Sequence, residues 1–142
     1  MGRRRRGGYA VEHVTRSEAV TEGLRVQVEA RYSAEHSDPG HSQWFFLYTI
    51  RVRNEGERTC QLISRHWVIR NGAGKVEEVR GPGVVGEQPV LEPGDAFEYT
   101  SGCPLDTPFG SMEGTYQMVR EDGSRFDAEI ERFELRQPQA LH

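Results

Sequence analysis

The strongest constraint on this chain lies in residues 24–32. In Leu24-Arg25-Val26-Gln27-Val28-Glu29-Ala30-Arg31-Tyr32 every even position is apolar or aromatic, and every odd one is charged or an amide. Alternation of period two over nine residues places all the apolar side chains on one side of an extended chain, so the segment reads as a strand with one buried face. The pattern recurs in Phe45–Arg53, where Phe46, Tyr48, Ile50 and Val52 share one face and Thr49, Arg51 and Arg53 the other. Cys60–Arg70 is apolar on both sides, with Leu62 and Val68 on one and Ile63, Trp67 and Ile69 on the other. That predicts a central strand, or one covered by a loop. Lys75–Arg80, Ala96–Ser101, Gly114–Arg120 and Arg125–Leu135 bring the number of expected strands to seven.

Turn chemistry separates these runs. Asn54-Glu55-Gly56-Glu57 and Glu121-Asp122-Gly123-Ser124 read as hairpin turns, and Asn71-Gly72-Ala73-Gly74 is the strongest turn signal because Asn and Gly tolerate positive φ. Residues 81–95 read as a loop, since Pro89 and Pro93 each remove a donor and restrict φ. Cys103 falls in an expected Gly-Cys-Pro turn, and Thr107-Pro108-Phe109-Gly110 forms another turn. In the last strand Phe126, Ala128 and Ile130 are in phase, but Phe133 and Leu135 are one residue out. A β-bulge near Glu131-Arg132 would return both sets to the core. Short strands between turns, with no amphipathic helix and no internal repeat, argue for a sandwich or barrel, and the number of strands fits an all-β immunoglobulin-like β-sandwich of seven to eight strands. Its expected limits are residues 21–136, flanked by a flexible basic tail over 1–20 and a frayed tail over 137–142.

A chain of 142 residues supports one modest core. No apolar run approaches the roughly 18 residues of a membrane span. The net charge of −4 is unevenly distributed. Without Arg3–Arg6 the 18 basic residues fall to 14 against 22 acidic ones, a net of −8. An acidic folded part argues against a general nucleic-acid or anionic-membrane surface. The Arg3–Arg6 block is followed by no apolar segment, so it does not read as a signal peptide. Cys60 and Cys103 show no C-x-x-C spacing, and a reduced, cytoplasmic protein is expected, with Cys60 serving as a small apolar side chain.

Several residues invite a chemical reading. Gly81, Gly83 and Gly86 spell G-x-G-x-x-G. In a dinucleotide fold that motif opens a helix whose N-terminus receives pyrophosphate, but Val84–Pro93 cannot start such a helix and Pro82 has no N–H. Two alternatives remain: a nest of backbone N–H groups that holds phosphate, or a sharp loop that needs positive φ. Glu35, His36, Asp38 and His41 cluster in one loop, yet two histidines on a loop fall short of the three or four placed ligands a metal centre needs, so no metal and no cofactor are expected. His66 stands without a nucleophile elbow, and neither Asp95 nor Ser101 is placed beside it by any motif. No catalytic residue is therefore assigned. Trp44, just after a loop, and Phe109, at a turn, are expected to be exposed and to contact a protein or peptide partner.

Ser64-Arg65-His66-Trp67, the run from Gly81 to Pro89, Pro93-Gly94, the run from Phe97 to Gly102 and the run from Thr107 to Tyr116 stand in an order and spacing that resembles the ApaG family, also called CorD. The resemblance covers about residues 20–136. It implies a fibronectin type III or immunoglobulin-like sandwich of bacterial, cytoplasmic origin linked to magnesium and cobalt homeostasis. It also implies a gene neighbourhood with a diadenosine tetraphosphate hydrolase, and use of similar domains as interaction modules in eukaryotic F-box and polymerase-associated proteins. It supplies no catalytic residues. Glu131 departs from a position where the family usually has Pro. The resulting expectation is a non-enzymatic interaction module acting through an unidentified protein partner. The alternative is a nucleotide or pyrophosphate binder at Gly81–Gly86.

Overall fold

The computed structural model describes residues 13–138. They form nine strands: β1 (Val14–Thr21), β2 (Leu24–Tyr32), β3 (Trp44–Asn54), β4 (Cys60–Asn71), β5 (Val76–Pro82), β6 (Val90–Leu91), β7 (Ala96–Leu105), β8 (Phe109–Arg120) and β9 (Arg125–Arg136). Two 3-10 turns, Ala34–His36 and Pro39–His41, lie between β2 and β3. One sheet has the order β1-β2-β3-β7 and the other β5-β4-β8-β9, with the short β6 pairing the start of β4. All pairings are antiparallel. The two sheets enclose one core, the immunoglobulin/fibronectin type III-like sandwich that the family resemblance implies. No helix among the described residues is long and apolar enough to cross a membrane.

The alternation translates directly into burial. Val26, Val28 and Ala30 of β2 and Phe46, Ile50 and Val52 of β3 are each at most 2% exposed. At the centre, the Trp67 ring lies 5.5 Å from Tyr48 and 6.0 Å from Phe133, edge-on to both. Two bulges set the phase of this core. In β9, Glu131 and Arg132 together oppose Glu113, so Ile130 and Phe133 both turn inward, as the sequence pattern requires. In β4, Ile63 is an extra residue opposite β8. That bulge corrects the expected division of faces: Leu62 and Trp67, an odd number of residues apart, share the buried side.

Four other expectations are corrected. Residues 14–21 form β1 where a tail was expected, while Arg3–Arg6 lie outside the described residues. The inward face of β1 carries Thr15, Ser17, Ala19 and Thr21, so it shows no apolar alternation. Its hydroxyls instead close the seam to β9. Thr15 Oγ1 donates to the Glu134 carbonyl at 2.5 Å, Ser17 Oγ donates to the Glu131 carbonyl at 2.7 Å, and the Glu129 N–H donates to Thr21 Oγ1 at 3.0 Å. Each such bond contributes about 1 kcal/mol.

Asn54–Glu57 is a crossing between sheets and not a hairpin, because β3 pairs with β2 and β7 while β4 belongs to the other sheet. Buried Asn54 organises it, donating from Nδ2 to the carbonyls of Arg58 and Leu91 and accepting the Gly56 N–H at Oδ1. Cys103 lies within strand β7, not in a turn. The chain can run extended through Pro104 because β7 is the last strand of its sheet, where a ladder tolerates a missing donor. Gln137, read as frayed tail, is tied down by its N–H to the Pro108 carbonyl.

Candidate functional site

The glycine motif folds as a tight hairpin. Val84 and Glu87 exchange both backbone hydrogen bonds, at 2.8 and 2.9 Å, around a two-residue tip with φ 43° at Val85 and φ 82° at Gly86. Positive φ at both central residues is the geometry of a type I′ turn, and at Val85 it holds a β-branched residue in a region such residues avoid. The Gly83 N–H donates to the Ile63 carbonyl at 2.8 Å. Three N–H groups that an anion cradle would draw on, those of Gly83, Val84 and Glu87, are therefore turned to protein carbonyls. Arg65, on the inner side of β4, adds Nη1 hydrogen bonds to the carbonyls of Pro82 and Gly83 at 2.9 and 2.8 Å. Its guanidinium lies flat against Gly81, where a Cβ would come within 3.1 Å of it. The sequence reading missed this role of Arg65. The available signal was an arginine in phase with the core residue Trp67.

Trp44 and Phe109 meet at one end of the sandwich, but not in the same way. Trp44 begins β3 in phase with Phe46 and is half-buried against the core, which corrects its expected exposure. Its Nε1–H donates to Gln137 Oε1 at 2.9 Å, and Gln137 is in turn held by Pro108. Phe109 is 52% exposed, as expected of a residue beside a turn. Its ring lies over Gly72, where any side chain would collide with it. Thr107 fixes the turn, accepting the Gly72 N–H and donating to the Phe109 carbonyl, and Asn71 Nδ2 donates to Asp106 Oδ1. A cleft of about 330 Å³ lies on the open side of the sandwich, lined in part by Ile69, Lys75, Glu77, Leu105 and Asp106, and Phe109 does not line it. The arrangement at Phe109 is an exposed aromatic on a turn fixed by side-chain hydrogen bonds.

The catalytic and metal alternatives do not assemble. His66 faces outward from its sheet with Nε2 2.7 Å from Glu78, whereas Ser101 faces the interior and Asp95 caps its own turn by accepting the Glu92 N–H. In the 35–41 loop, His36 Nδ1 pairs with Ser33 Oγ at 2.7 Å and His41 Nδ1 with Asp38 at 2.8 Å. Among the described residues no three His, Cys, Asp or Glu side chains form a group able to hold a metal ion.

Burial keeps the phenols and thiols of the core in their neutral forms. Tyr99 and Tyr116 share a hydroxyl–hydroxyl bond in the core. Burial raises the pKa of both above the ordinary phenol value, and Arg65 partly opposes the shift. Burial also pushes the Cys103 thiol up to about 12 and raises that of Cys60. Both cysteines are unpaired. The thiolate is the reactive form, so neither thiol is expected to react with an aromatic disulfide reagent at pH 8 in the folded protein, whereas both react in urea. A full equivalent titrating rapidly under native conditions would contradict this burial. Because Cys103 ionises more easily in the unfolded chain, the fold loses stability as the pH climbs from about 9 towards about 12.

Comparison with known proteins agrees with this architecture. Residues 34–120 match the family described as the ApaG domain. The chain is 55% identical over 119 residues to Protein ApaG of Thiobacillus denitrificans, spanning 84% of this chain and 94% of that one. It is 57% identical to Protein ApaG of Nitrosospira multiformis over the same shares. A crystal structure of a Bordetella pertussis protein described as a putative ApaA protein superposes with a TM-score of 0.79 at 53% identity, covering 82% of this chain and 95% of that chain. The order of motifs, the sandwich and these likenesses coincide over the same residues, and the chain belongs to the ApaG domain family.

Proposed function

We propose that this ApaG-domain protein is a non-enzymatic binding module of the bacterial cytoplasm that acts through a protein partner met at the Phe109 end of the sandwich. A part in magnesium and cobalt homeostasis belongs to this proposal as what the family resemblance implies. The observation that carries the reading is Phe109 itself: a half-exposed ring seated on Gly72, on a turn held by Thr107. Exposed aromatics on rigid bases are the side chains from which protein interfaces draw much of their energy. The residues that suggested other chemistry are engaged within the protein: His66 with Glu78, the Gly83 N–H with the Ile63 carbonyl, and Val84 and Glu87 with each other.

The test compares the full chain with its Phe109→Ala variant as immobilised bait, followed by titration of each purified captured protein. Loss of a hot-spot aromatic costs about 2 kcal/mol or more, so affinity for a true partner is expected to fall at least tenfold while the melting temperature stays near that of the wild type. Equal capture and equal affinity for both baits would overturn the assignment of this face. Turnover of ATP or diadenosine tetraphosphate by the purified chain, or saturable amide shifts at Gly81–Gly86 on adding either, would replace the reading with the nucleotide or pyrophosphate one.

A further inference from the structure

The sandwich has four lateral strand edges, and three are managed. Those of β1 and β9 meet along one side and are bridged by the hydroxyls of Thr15, Ser17 and Thr21. The edge strand β5 carries Glu77, Glu78, Arg80 and Pro82 within seven residues, with Glu77 on its inward side beside Cys103. Charges, an inward-pointing charge above all, and proline are the devices by which edge strands refuse a partner. The fourth edge, β7, has none of them over most of its length. Its ten residues hold a single charge, Glu98, and proline enters only at Pro104. β7 pairs with β3 on one side only, and among the described residues no hydrogen bond joins it to β5 across the open side of the sandwich.

We propose that this edge pairs with β7 of a second copy of the chain, antiparallel about a twofold axis at Thr100, joining two four-stranded sheets into one of eight strands. The side-chain pattern of β7 selects this occupant. Phe97, Tyr99, Ser101 and Cys103 point inward, since they pair with Val52, Ile50, Tyr48 and Phe46 of β3. The large residues lie on one side of Thr100 and the small ones on the other. Centring the pair on Thr100 therefore sets Phe97 opposite Cys103 and Tyr99 opposite Ser101. On the outer face it sets Glu98 opposite Gly102, so the two carboxylates stay apart, and Ala96 opposite Pro104, so the residue without a donor falls at the end of the ladder. An edge complementary to itself is what a twofold interface requires. The inference stands apart from the Phe109 reading, since one can fail without the other.

Sedimentation of the full chain over a range of concentrations tests it, together with two variants on the exposed outer face. Wild type is expected to form a dimer as concentration rises. Thr100→Lys, which places two like charges directly opposite each other, should weaken the dimer at least tenfold without altering the melting transition of the monomer. Thr100→Cys should cross-link under mild oxidation, because residues opposite in an antiparallel pair have Cα atoms about 4.5–5.5 Å apart, within disulfide reach. Glu98→Cys should not, since its two thiols would stand four residues out of register, roughly 13 Å apart. Cys60 and Cys103 are buried and do not compete. A wild-type chain that stays monomeric, a Thr100→Lys variant that dimerises as well as wild type, or cross-linking of Glu98→Cys as fast as Thr100→Cys would each overturn the proposal.

Discussion

Replacing Trp67 with alanine is expected to remove about 3–5 kcal/mol of folding stability, read as a lower urea midpoint with an unchanged slope. Trp67 is 3% exposed and touches rings from both sheets, Tyr48 of β3 and Phe133 of β9. Both neighbours lie on strands pinned by their ladders, so the space left by the indole cannot collapse readily, and the cost falls at the cavity-forming end of the range. The edge-on ring contacts are lost as well, and such pairs contribute roughly 0.5–1.5 kcal/mol beyond buried area. The contrast with Phe109→Ala is informative. That ring is larger than most core side chains but half in water, and its removal should leave the urea midpoint nearly in place. A small loss for Trp67→Ala would mean that the bulge at Ile63 does not hold Trp67 in the core as described.

The second large effect concerns the glycine hairpin. Gly83→Ala is expected to be far more damaging than Gly86→Ala, although both glycines have positive φ, 58° and 82°. A side chain at either position bears the left-handed penalty of about 1–2 kcal/mol. At Gly86 there is open space around a built Cβ, so the penalty ends there. At Gly83 the Cβ would run into the Glu87 carbonyl, whose oxygen is the acceptor that closes the turn with Val84. Overpacking of that kind adds about 1–3 kcal/mol and displaces backbone that Arg65 also holds. Thermal unfolding of the two variants side by side checks the ordering. Equal losses would show that the loop yields around residue 83. It follows that Gly83→Val is not a fold-neutral probe of phosphate binding, and ligand titrations of this loop should use Gly86 variants instead.

Much of the architecture was legible because it depends on local chemistry. Residues 24–32 and 45–53 can bury their apolar side chains only as strands, and the out-of-phase Phe133 and Leu135 can join Ile130 only through a bulge, which is where one occurs. The motifs from Ser64 to Tyr116 likewise sufficed to place the chain in its family. Strand β1 was not legible, because its inward face is matched to the backbone of β9 and not to an apolar core; Thr15, Ser17 and Thr21 have meaning only once that seam exists. The Asn54 crossing was misread for a related reason. A turn-forming tetrapeptide reports that the chain reverses, not which sheet receives the next strand.

Alternation and turn chemistry thus determined, from the residues alone, that this chain is an all-β protein and which side chains of β2, β3 and β9 form its core, since strands of period-two polarity must bury one face against another layer of sheet. Tertiary structure alone decided what became of the functional candidates. It turned the N–H groups of Gly83, Val84 and Glu87 onto protein carbonyls and drew Trp44 half into the core through register with Leu105. It left Phe109 in solvent over Gly72, and it separated His66 from Ser101 by placing them in different sheets, the first facing outward and the second inward. Each of these depends on contacts between residues tens of positions apart, which pairing and packing establish and no local pattern encodes.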